Sequence, residues 1–409
     1  MKKALLGISI LAAIASTNIL AADTVTDEAS LNNAISKANV DSSINKIVFA
    51  RNARISLSSP IIYTGRQNLT LQGNGATLDG AKAGSFVLDS KLLAYTKDAT
   101  LVFKTTGDIS INELSVVNSA TRGIVVKIPD TAQGNDIKVT LQKVHISGSA
   151  LYGLHIDDNA DEFDDGNSGS AIGIELYIAD SSIIRNGIGA IDFDGIRVDE
   201  REQGGIAAVI INTHIDNNGG DGLELDEAGD GHVTATLKQV TFNDNGFYNK
   251  EDLDDGFDID ERGAGDIEVF MFNVQVHRNQ DEGLDFDEAD AGSVKVKLHS
   301  LLVTKTTDEG IKLDEDGVGD INAQFFDVLV SEGGNDGIQM TEQEAGRIDA
   351  ELKKVSAINN KNYGVIIEQW HVKGEDSSLE KAGTLKIKEL TLSGNGNGDK
   401  LELNNIDVE

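Results

Sequence analysis

The chain has 409 residues, with 68 acidic residues against 35 lysines and arginines, and its formal net charge at pH 7 is −33. Such a negative charge makes nucleic acids and anionic membranes poor partners. The chain contains no cysteine, which excludes disulfides and thiolate metal sites. Stability must therefore come from packing, from a metal with oxygen ligands, or from both.

Residues 1–22 have the form of a secretory signal peptide. Lys2 and Lys3 precede an apolar stretch from Ala4 to Ala15, and small residues follow at Ala21 and Ala22. The apolar stretch is too short for a stable span of a bilayer. We therefore expect an exported protein, periplasmic or extracellular, whose single mature domain covers residues 23–409.

The two ends of the mature domain are predicted to be caps. Residues 23–45 include a predicted helix with Asp27 as its N-cap and an end near Ala38. The C-terminal cap is expected at about 370–409. Capping keeps the terminal strands of a repeat structure from pairing with other chains. The apolar face of the predicted helix comprises Leu31, Ala34, Ile35 and Ala38.

The central part of the chain repeats a short phrase: acid, Gly, apolar, any residue, apolar, Asp, Glu. From Gly256 onward the phrase recurs with a 27-residue period. In six copies of the whole repeat, a second glycine follows nine residues after the first. Repetition at this period is the signature of a solenoid. The acidic repeats occupy residues 150–345. The copies begin at Asp194, Asp221, Asp255, Glu282, Glu309, Asp336 and Tyr363, with weaker ones at Tyr152 and Arg122.

Each 27-residue unit predicts three short strands separated by turns. Apolar residues alternate with polar ones in three successive segments, and no helical pattern lies between them. The backbone groups of such strands need partners in the units before and after. We therefore predict an all-β, single-stranded parallel β-helix with three strands in each coil. In one unit the apolar positions are Leu223 and Leu225, then Val233 and Ala235, then Val240 and Phe242.

Residues 46–80, KIVFARNARISLSSPIIYTGRQNLTLQGNGATLDG, together with residues 30–38, resemble the N-terminal coils of a known family. This is the right-handed parallel β-helix, pectate-lyase-like superfamily. The resemblance implies a right-handed coil. It also favours an acidic or neutral polysaccharide, or a component of the cell envelope, as partner, but it implies no particular reaction.

Residues at the same phase of successive coils stack at strand spacing, roughly 4.8 Å, so the phrase builds columns of acids. Two carboxylates about 5 Å apart repel by roughly 0.8 kcal/mol in water and about 3 kcal/mol at an effective dielectric near 20. We predict several bound Ca²⁺ ions, since hard cations prefer oxygen ligands. A solvated acidic face and shared protons are the alternatives.

The predicted calcium ligands come from the positions just before the glycine and four after it. The Asp four after the glycine is predicted to face outward. A third column, directly after that Asp, comprises Glu200, Glu227, Glu261, Glu288, Glu315 and Glu342. The predicted ligands are Asp194, Asp199, Asp221, Asp226, Asp255, Asp260, Asp281, Glu282, Asp287, Asp308, Glu309 and Asp314.

The position two after the glycine carries weak candidates for catalysis. His155, Arg197 and Glu224 follow one another in successive coils, with Tyr152 close by. Together with the neighbouring Asp157, Asp199 and Asp226 they could supply a base, a cation and a metal bed. The phrase at 152–158, YGLHIDD, is similar to the YG-x-D-P-H phrase of alginate C5-epimerases, although His and Asp are exchanged and the proline is missing. The simpler interpretation makes His155 and Arg197 surface residues of an acidic face.

Three functions therefore remain open. The first is an exported structural or binding protein that holds calcium in its acidic columns and presents a rigid surface to a glycan or to the cell envelope. The second is a calcium-dependent polysaccharide lyase or uronan C5-epimerase. The third is an acidic adhesin or mineral-binding protein, which would need no defined sugar. Aromatic residues make up only 5% of the chain, so no broad sugar-stacking surface is predicted.

Overall fold

The computed structural model describes residues 24–160, 168–248, 253–371 and 382–409, and the predicted signal peptide lies outside them. The described residues form one helix, α1, and 28 strands. No helix in these ranges is long and apolar enough to cross a membrane. The elements are α1 Glu28–Val40, β1 Lys46–Val48, β2 Arg54–Ser56, β3 Ile61–Tyr63, β4 Leu69–Asp79, β5 Ala99–Lys104, β6 Ile109–Val117, β7 Arg122–Lys127, β8 Ile137–Gln142, β9 His145–Ser147, β10 Leu154–Asp157, β11 Ile174–Ala179, β12 Ser182–Ile184, β13 Ile196–Glu202, β14 Ile206–Asp216, β15 Leu223–Gly229, β16 Val233–Asn243, β17 Phe257–Gly263, β18 Ile267–His277, β19 Leu284–Asp290, β20 Val294–Thr304, β21 Ile311–Gly317, β22 Asp320–Ser331, β23 Ile338–Glu344, β24 Arg347–Ile358, β25 Val365–Trp370, β26 Gly383–Ser393, β27 Leu401–Asn404 and β28 Ile406–Val408.

The helix α1 lies at the N-terminal end and begins as predicted. The Asp27 carboxylate accepts a hydrogen bond from the Ser30 amide at 2.8 Å, which satisfies one of the free N–H groups of the first turn. Leu31, Ile35 and Ala38 are buried, and the helix packs against β3. It covers the apolar end of the first coil.

The strands form two parallel sheets, one of 16 strands and one of 12. Each strand pairs with its equivalents one coil before and one coil after, so β15 lies between β13 and β17. The apolar core fills the space between the sheets and runs without a break along the molecule. Parallel crossover connections of this kind are right-handed in about 98% of cases. The chain is a single solenoid.

The second and third predicted strands of a coil form one continuous strand with a bend. In β16 the buried residues Val233, Ala235 and Leu237 alternate regularly, and the alternation then shifts by one position, to Val240 and Phe242. The shift occurs at two consecutive exposed residues, Lys238 and Gln239, where the strand bends. Gln239 has a positive φ. Equivalent bends with φ between 47° and 57° occur at Asn212, Gln239, Asn273, Ser300, Asp327 and Lys354.

The second glycine of the repeat is required by the close approach of neighbouring coils. A Cβ atom added to Gly292 would lie 1.4 Å from the carbonyl oxygen of Gly265, and one added to Gly319 would lie 1.3 Å from that of Gly292. No side chain fits at these distances, because they are far inside van der Waals contact. The glycine column therefore sets the coil spacing at this turn.

An asparagine ladder fixes the opposite turn. Asn186, Asn218, Asn245 and Asn279 are buried in successive coils. The Oδ1 atom of Asn245 accepts a hydrogen bond from the backbone amide of Asn218 at 3.0 Å, and its Nδ2 donates to the Ile215 carbonyl at 3.1 Å. These bonds satisfy turn amides that water does not reach.

Candidate metal centre

The acidic columns stack in vertical register on the 12-stranded sheet. Asp226 pairs with Asp199 on one side and with Asp260 on the other. Glu224 likewise pairs with Arg197 and Asp258. The register predicted from the repeat therefore holds through the acidic coils, and the carboxylates of each column lie one coil apart.

The acids just before the glycine tie neighbouring coils together. Asp194 Oδ1 accepts a hydrogen bond from the Asp221 amide at 2.9 Å, and Asp255 Oδ1 accepts one from the Glu282 amide at 2.7 Å. Asp221 binds the Asp255 amide in the same way. The second oxygen of Asp194 is buried and has no hydrogen-bond partner. One oxygen of these residues thus serves the backbone, and the other remains available to a ligand.

The acids just before the glycine and other acids near them form five groups of three. In each group one carboxylate oxygen of each member lies within 4.8 Å of the others. Neighbouring groups share members, so together they make one chain of carboxylates along the outer face. We call this set the acidic chain. Its groups are Asp192–Asp194–Asp254, Asp194–Asp221–Glu224, Glu224–Asp258–Asp260, Asp255–Asp258–Asp285 and Asp255–Asp281–Glu282.

The acidic chain is strongly unfavourable as a set of bare carboxylates. Burial raises the pKa of Asp221 well above its ordinary value, and the neighbouring Asp194 and Asp254 carboxylates raise it further. Burial, followed by repulsion from other acids, also raises the pKa of Asp255 and Asp258. The ionised forms therefore need a positive charge close by.

Among the described residues, two basic side chains form ion pairs with members of the acidic chain. Arg197 binds Glu224, and its Nη1 atom lies 4.0 Å from Asp194 Oδ2. Lys312 Nζ lies 2.7 Å from Asp285 Oδ2. Within the described ranges no basic residue forms an ion pair with Asp255 or Asp258, which leaves these two acids unneutralised.

Half of the predicted ligands lie in the acidic chain. The others lie elsewhere, and several already have basic partners: Asp226 binds Arg197, Arg201 and Arg262. Asp287 lies 3.3 Å from Lys312. The predicted residues in the chain are Asp194, Asp221, Asp255, Asp260, Asp281 and Glu282. The predicted residues outside it are Asp199, Asp226, Asp287, Asp308, Glu309 and Asp314.

Sequence reasoning missed five members of the acidic chain: Asp192, Glu224, Asp254, Asp258 and Asp285. Three of them, Glu224, Asp258 and Asp285, occupy the position two after the glycine, which was interpreted as a catalytic face. That position lies beside the acid before the glycine, and acids of both positions make up two of the five groups, Asp194–Asp221–Glu224 and Asp255–Asp258–Asp285. The signal was present in the phrase itself, as an acid at both positions.

The simpler sequence interpretation, in which His155 and Arg197 lie on an acidic surface and Arg197 neutralises its neighbours, is wrong for His155 but agrees with the ion pairs of the partly buried Arg197. His155 is 1% exposed. Its Nδ1 atom lies 3.1 Å from Arg122 Nη1, and its Nε2 atom lies 2.9 Å from Asp199 Oδ2. A guanidinium can only donate, so Nδ1 accepts and Nε2 donates. Although burial alone would raise the pKa of Asp199, Arg197 and His155 hold it well below its ordinary value.

Tyr152 packs beside this pair. Its ring centroid lies 4.6 Å from those of His155 and Phe193. Burial raises the pKa of the Tyr152 hydroxyl well above its ordinary value. The Arg197 side chain is 13% exposed and contacts four carboxylates. The structure therefore brings the three catalytic candidates together, but in a buried and already paired arrangement.

The glutamates after the Asp form a separate column that points into the molecule. All six are at most 2% exposed, because they continue the inward alternation of the strand. Both carboxyl oxygens of Glu200, Glu261, Glu288 and Glu315 lack hydrogen-bond partners. Burial is the largest cause that raises their pKa. The values are about 8 for Glu200, 10 for Glu227, 8 for Glu261, 7 for Glu288, 9 for Glu315 and 7 for Glu342.

We call this column the glutamate ladder. Glu227 interacts with Glu200 and Glu261 in the neighbouring coils, and those contacts raise its pKa beyond the effect of burial. Within the described part of the chain, no three members of the ladder approach one another closely enough to form a metal group like those of the acidic chain. Shared protons, the third alternative raised by the sequence, suit this column better than cations do.

The fold defines the class of protein: the chain is a right-handed parallel β-helix protein. Neither a protein-family profile nor a curated protein matches it. Among solved structures it is similar to the periplasmic alginate epimerase AlgG, with 14% identity, 94% of this chain and 83% of that chain covered, and a TM-score of 0.49. At this identity the likeness concerns the fold alone.

Two further solved structures are similar over most of this chain. ORF18 of Geobacillus virus E2 has 12% identity, covers 95% of this chain and 59% of its own, and gives a TM-score of 0.40. The A-module of Azotobacter vinelandii mannuronan C-5 epimerase AlgE4 has 12% identity, covers 95% and 96%, and gives a TM-score of 0.24. These likenesses assign no residue of this chain a role.

Proposed function

We propose that this protein is an exported calcium-binding β-helix protein that presents a rigid surface to a glycan or to the cell envelope. The observation that carries the proposal is the acidic chain. Most of its members are buried, they lie within 4.8 Å of one another in threes, and Asp255 and Asp258 have no basic ion-pair partner among the described residues. Bound cations would neutralise this charge and join successive coils.

The ligand atoms favour calcium over other ions. They are carboxylate oxygens, and the chain has no cysteine. Calcium accepts six to eight oxygen ligands in irregular geometry and tolerates shared carboxylates, whereas magnesium requires a nearly ideal octahedron. The buried oxygen of Asp285 that lacks a hydrogen-bond partner supports a ligand role. Asp255, Asp258 and Asp285 would hold one of the ions.

A binding role fits the geometry better than catalysis does. Both ring nitrogens of His155 are occupied, one by Arg122 and one by Asp199. A general base must reach the proton that it removes, and a buried, doubly bonded imidazole has no free nitrogen for this. The lyase or epimerase function would require Arg122 or Asp199 to move away when a substrate binds.

Export remains part of the proposal. It is supported by the signal-peptide pattern of residues 1–22. The glycan or envelope partner is supported by the long flat faces of the solenoid, which suit extended ligands.

Calcium titration tests the proposal. The mature protein is stripped with a chelator, and calcium is added in a calorimeter while thermal unfolding is followed in parallel samples. Calcium at about 100 times its Kd should raise the free energy of unfolding by about 2.7 kcal/mol for each independent site. The double variant Asp255→Asn and Asp258→Asn should lose at least one ion. The exposed Asp316→Asn is the matched control and should bind as the wild type does.

Two results would contradict the proposal. The first is the absence of calcium heat together with an unfolding curve that calcium leaves unchanged. The second is a double variant that binds as many ions as the wild type, because the ligands would then lie outside the acidic chain.

A further inference from the structure

The outer face of the 16-stranded sheet differs from the rest of the molecule in both charge and chemistry. Two outward columns cross β16, β18, β20, β22, β24 and β26 side by side. Over these coils they contain five lysines and one acid, Glu351, which is paired with Lys388 at 2.6 Å. We call the cationic and aromatic residues the basic strip. They are Lys238, Phe270, Phe272, Lys297, His299, Phe326, Lys353, Lys386 and Lys388.

The excess of lysine is unusual in a chain with almost twice as many acids as basic residues. Lys238, Lys297 and Lys353 are exposed, and none of them forms an ion pair within the described ranges. Lysines without an ion-pair partner leave a positive charge that a bound anion can neutralise. The basic strip therefore has the charge of a binding site for anions.

Aromatic rings lie among these lysines. Phe270 and Phe272 are 38% and 42% exposed. The Phe272 and His299 ring centroids are 5.0 Å apart, and those of His299 and Phe326 are 4.6 Å apart, so these three rings stack along the solenoid axis. Phe270 stands beside the stack, with Lys238 Nζ 5.8 Å from its ring centre. Exposed rings in a row on a sheet face indicate contact with a partner.

We propose that the basic strip binds an extended acidic glycan, with the lysines on its anionic groups and the rings on its apolar C–H faces. The inference rests on the proposed glycan-binding role, but it does not depend on calcium. It also places the glycan on the sheet opposite the acidic chain. The row of aromatic rings in the basic strip differs from the expectation, drawn from composition, that the chain has no broad sugar-stacking surface.

The spacing of the charges favours a glycan over duplex nucleic acid. Six strands at about 4.8 Å extend over roughly 24 Å, so the lysines supply about one charge per 5 Å. Duplex DNA carries one charge per about 1.7 Å. The cations are lysines rather than arginines, and arginine is the usual choice for phosphate and nucleic acid. The exposed amides of Asn322 and Gln324 lie between the lysines and suit sugar hydroxyls.

A shallow depression of about 380 Å³ beside the basic strip offers further polar contacts. It is lined by Gln324, Arg347, Glu351, Lys386 and other residues of the last coils. It continues the strip toward the C-terminal end. The binding surface is therefore a track along the solenoid rather than a closed pocket, which matches a polymer better than a small molecule.

Binding measurements on the mature protein test this inference. The probes are a uronate oligosaccharide, a phosphorylated core oligosaccharide of lipopolysaccharide, a neutral glucan oligosaccharide and a single-stranded oligonucleotide, each titrated at two salt concentrations. The triple variant Lys238→Gln, Lys297→Gln and Lys353→Gln removes the unpaired charges from the strip. Because all three residues are exposed, the fold should be kept, and circular dichroism checks this. The matched control replaces the exposed Lys82, Lys91 and Lys361 by Gln.

We expect at least one acidic glycan to bind the wild type, and the triple variant to bind it about tenfold more weakly with a smaller salt dependence. The control should bind as the wild type does. Phe270→Ala should weaken binding severalfold and leave the salt dependence unchanged. Which of the two acidic oligosaccharides binds more tightly identifies the source of the ligand.

Four results would overturn the inference: no binding of either acidic oligosaccharide, equal binding by the triple variant, equal binding of the neutral glucan, or tighter binding of the oligonucleotide. Each titration is made in chelator and again in calcium. Glycan binding that depends on the lysines in both buffers, without any calcium heat, would refute only the calcium proposal. Calcium binding without glycan binding would refute only this one.

Discussion

The glutamate ladder predicts that this protein loses stability as the pH rises, and Glu227 is the residue on which to test it. Burial and the neighbouring Glu200 and Glu261 raise its pKa from an ordinary value of 4.5 to about 10. Between these values the folded protein holds a proton on Glu227 that the unfolded chain has released. The free energy of unfolding should therefore fall with rising pH across this range.

The magnitude follows from proton linkage. One group that is protonated only in the folded state changes the free energy of unfolding by about 1.4 kcal/mol per pH unit. From pH 5 to pH 8 Glu227 thus contributes a loss of up to about 4 kcal/mol. Glu227→Gln keeps the shape of the side chain and removes the titration. At pH 8 the variant should be more stable than the wild type by up to this amount.

The chain itself shows that an amide fits the column. Gln369 pairs with Glu342 as the next rung, is 1% exposed, and accepts a hydrogen bond from the Ile348 amide at 3.1 Å. Glu227 likewise accepts one from the Gly231 amide at 3.1 Å through Oε1. The substitution therefore keeps the contact with the backbone.

Urea denaturation at several pH values between 5 and 8, followed by circular dichroism in chelator, measures the effect. Glu268→Gln is the control, because that glutamate is exposed on the outer face of β18. It should leave the slope of stability against pH unchanged. Parallel pH profiles for the wild type and Glu227→Gln would refute the reasoning, because Glu227 would then carry no proton that folding retains.

Two further predictions concern the turns. Gly292→Ala places a Cβ atom 1.4 Å from the Gly265 carbonyl oxygen, so the unfolding free energy should fall by more than about 3 kcal/mol. Gly333→Ala, whose Cβ meets nothing closer than 3.2 Å, should be milder in the same thermal melts; equal losses would contradict the steric explanation. Asn245→Ala leaves the buried amide of Asn218 without its partner, which should destabilise the protein by about 1–3 kcal/mol in urea. A loss smaller than about 0.5 kcal/mol would indicate that water replaces the side chain.

The fold could be predicted because its signal repeats in every coil. The apolar alternation gave the strands, and the paired glycines gave the 27-residue period. The register of the acidic columns followed directly from that period. The bend between the second and third strands was harder to predict, since a positive φ occurs there at Gln239, Ser300 and Lys354, which have no common side-chain chemistry.

The site was less predictable, because charge and burial depend on neighbours that the repeat does not specify. Asp226 and Asp260 occupy the same position of the phrase, yet Asp226 is enclosed by three arginines. Arg197 lies two residues after the first glycine of its repeat, and Arg201 and Arg262 lie six residues after theirs. Most other coils have other residue types at these two positions. The basic strip was missed although the 27-residue period aligns its residues, because its positions carry different residue types in successive coils.

The alternation of the strand explains why one acidic phrase produces two kinds of column. In DGLELDE, Glu224 and Asp226 point outward, whereas Glu227 continues the inward positions of Leu223 and Leu225. Outward acids can approach solvent ions, so a cation can neutralise them. Inward acids meet the core, one another and backbone amides of the turn, and a shared proton neutralises them there. The two columns therefore predict opposite sensitivities: calcium should act through the acidic chain, and pH in the neutral range through the glutamate ladder.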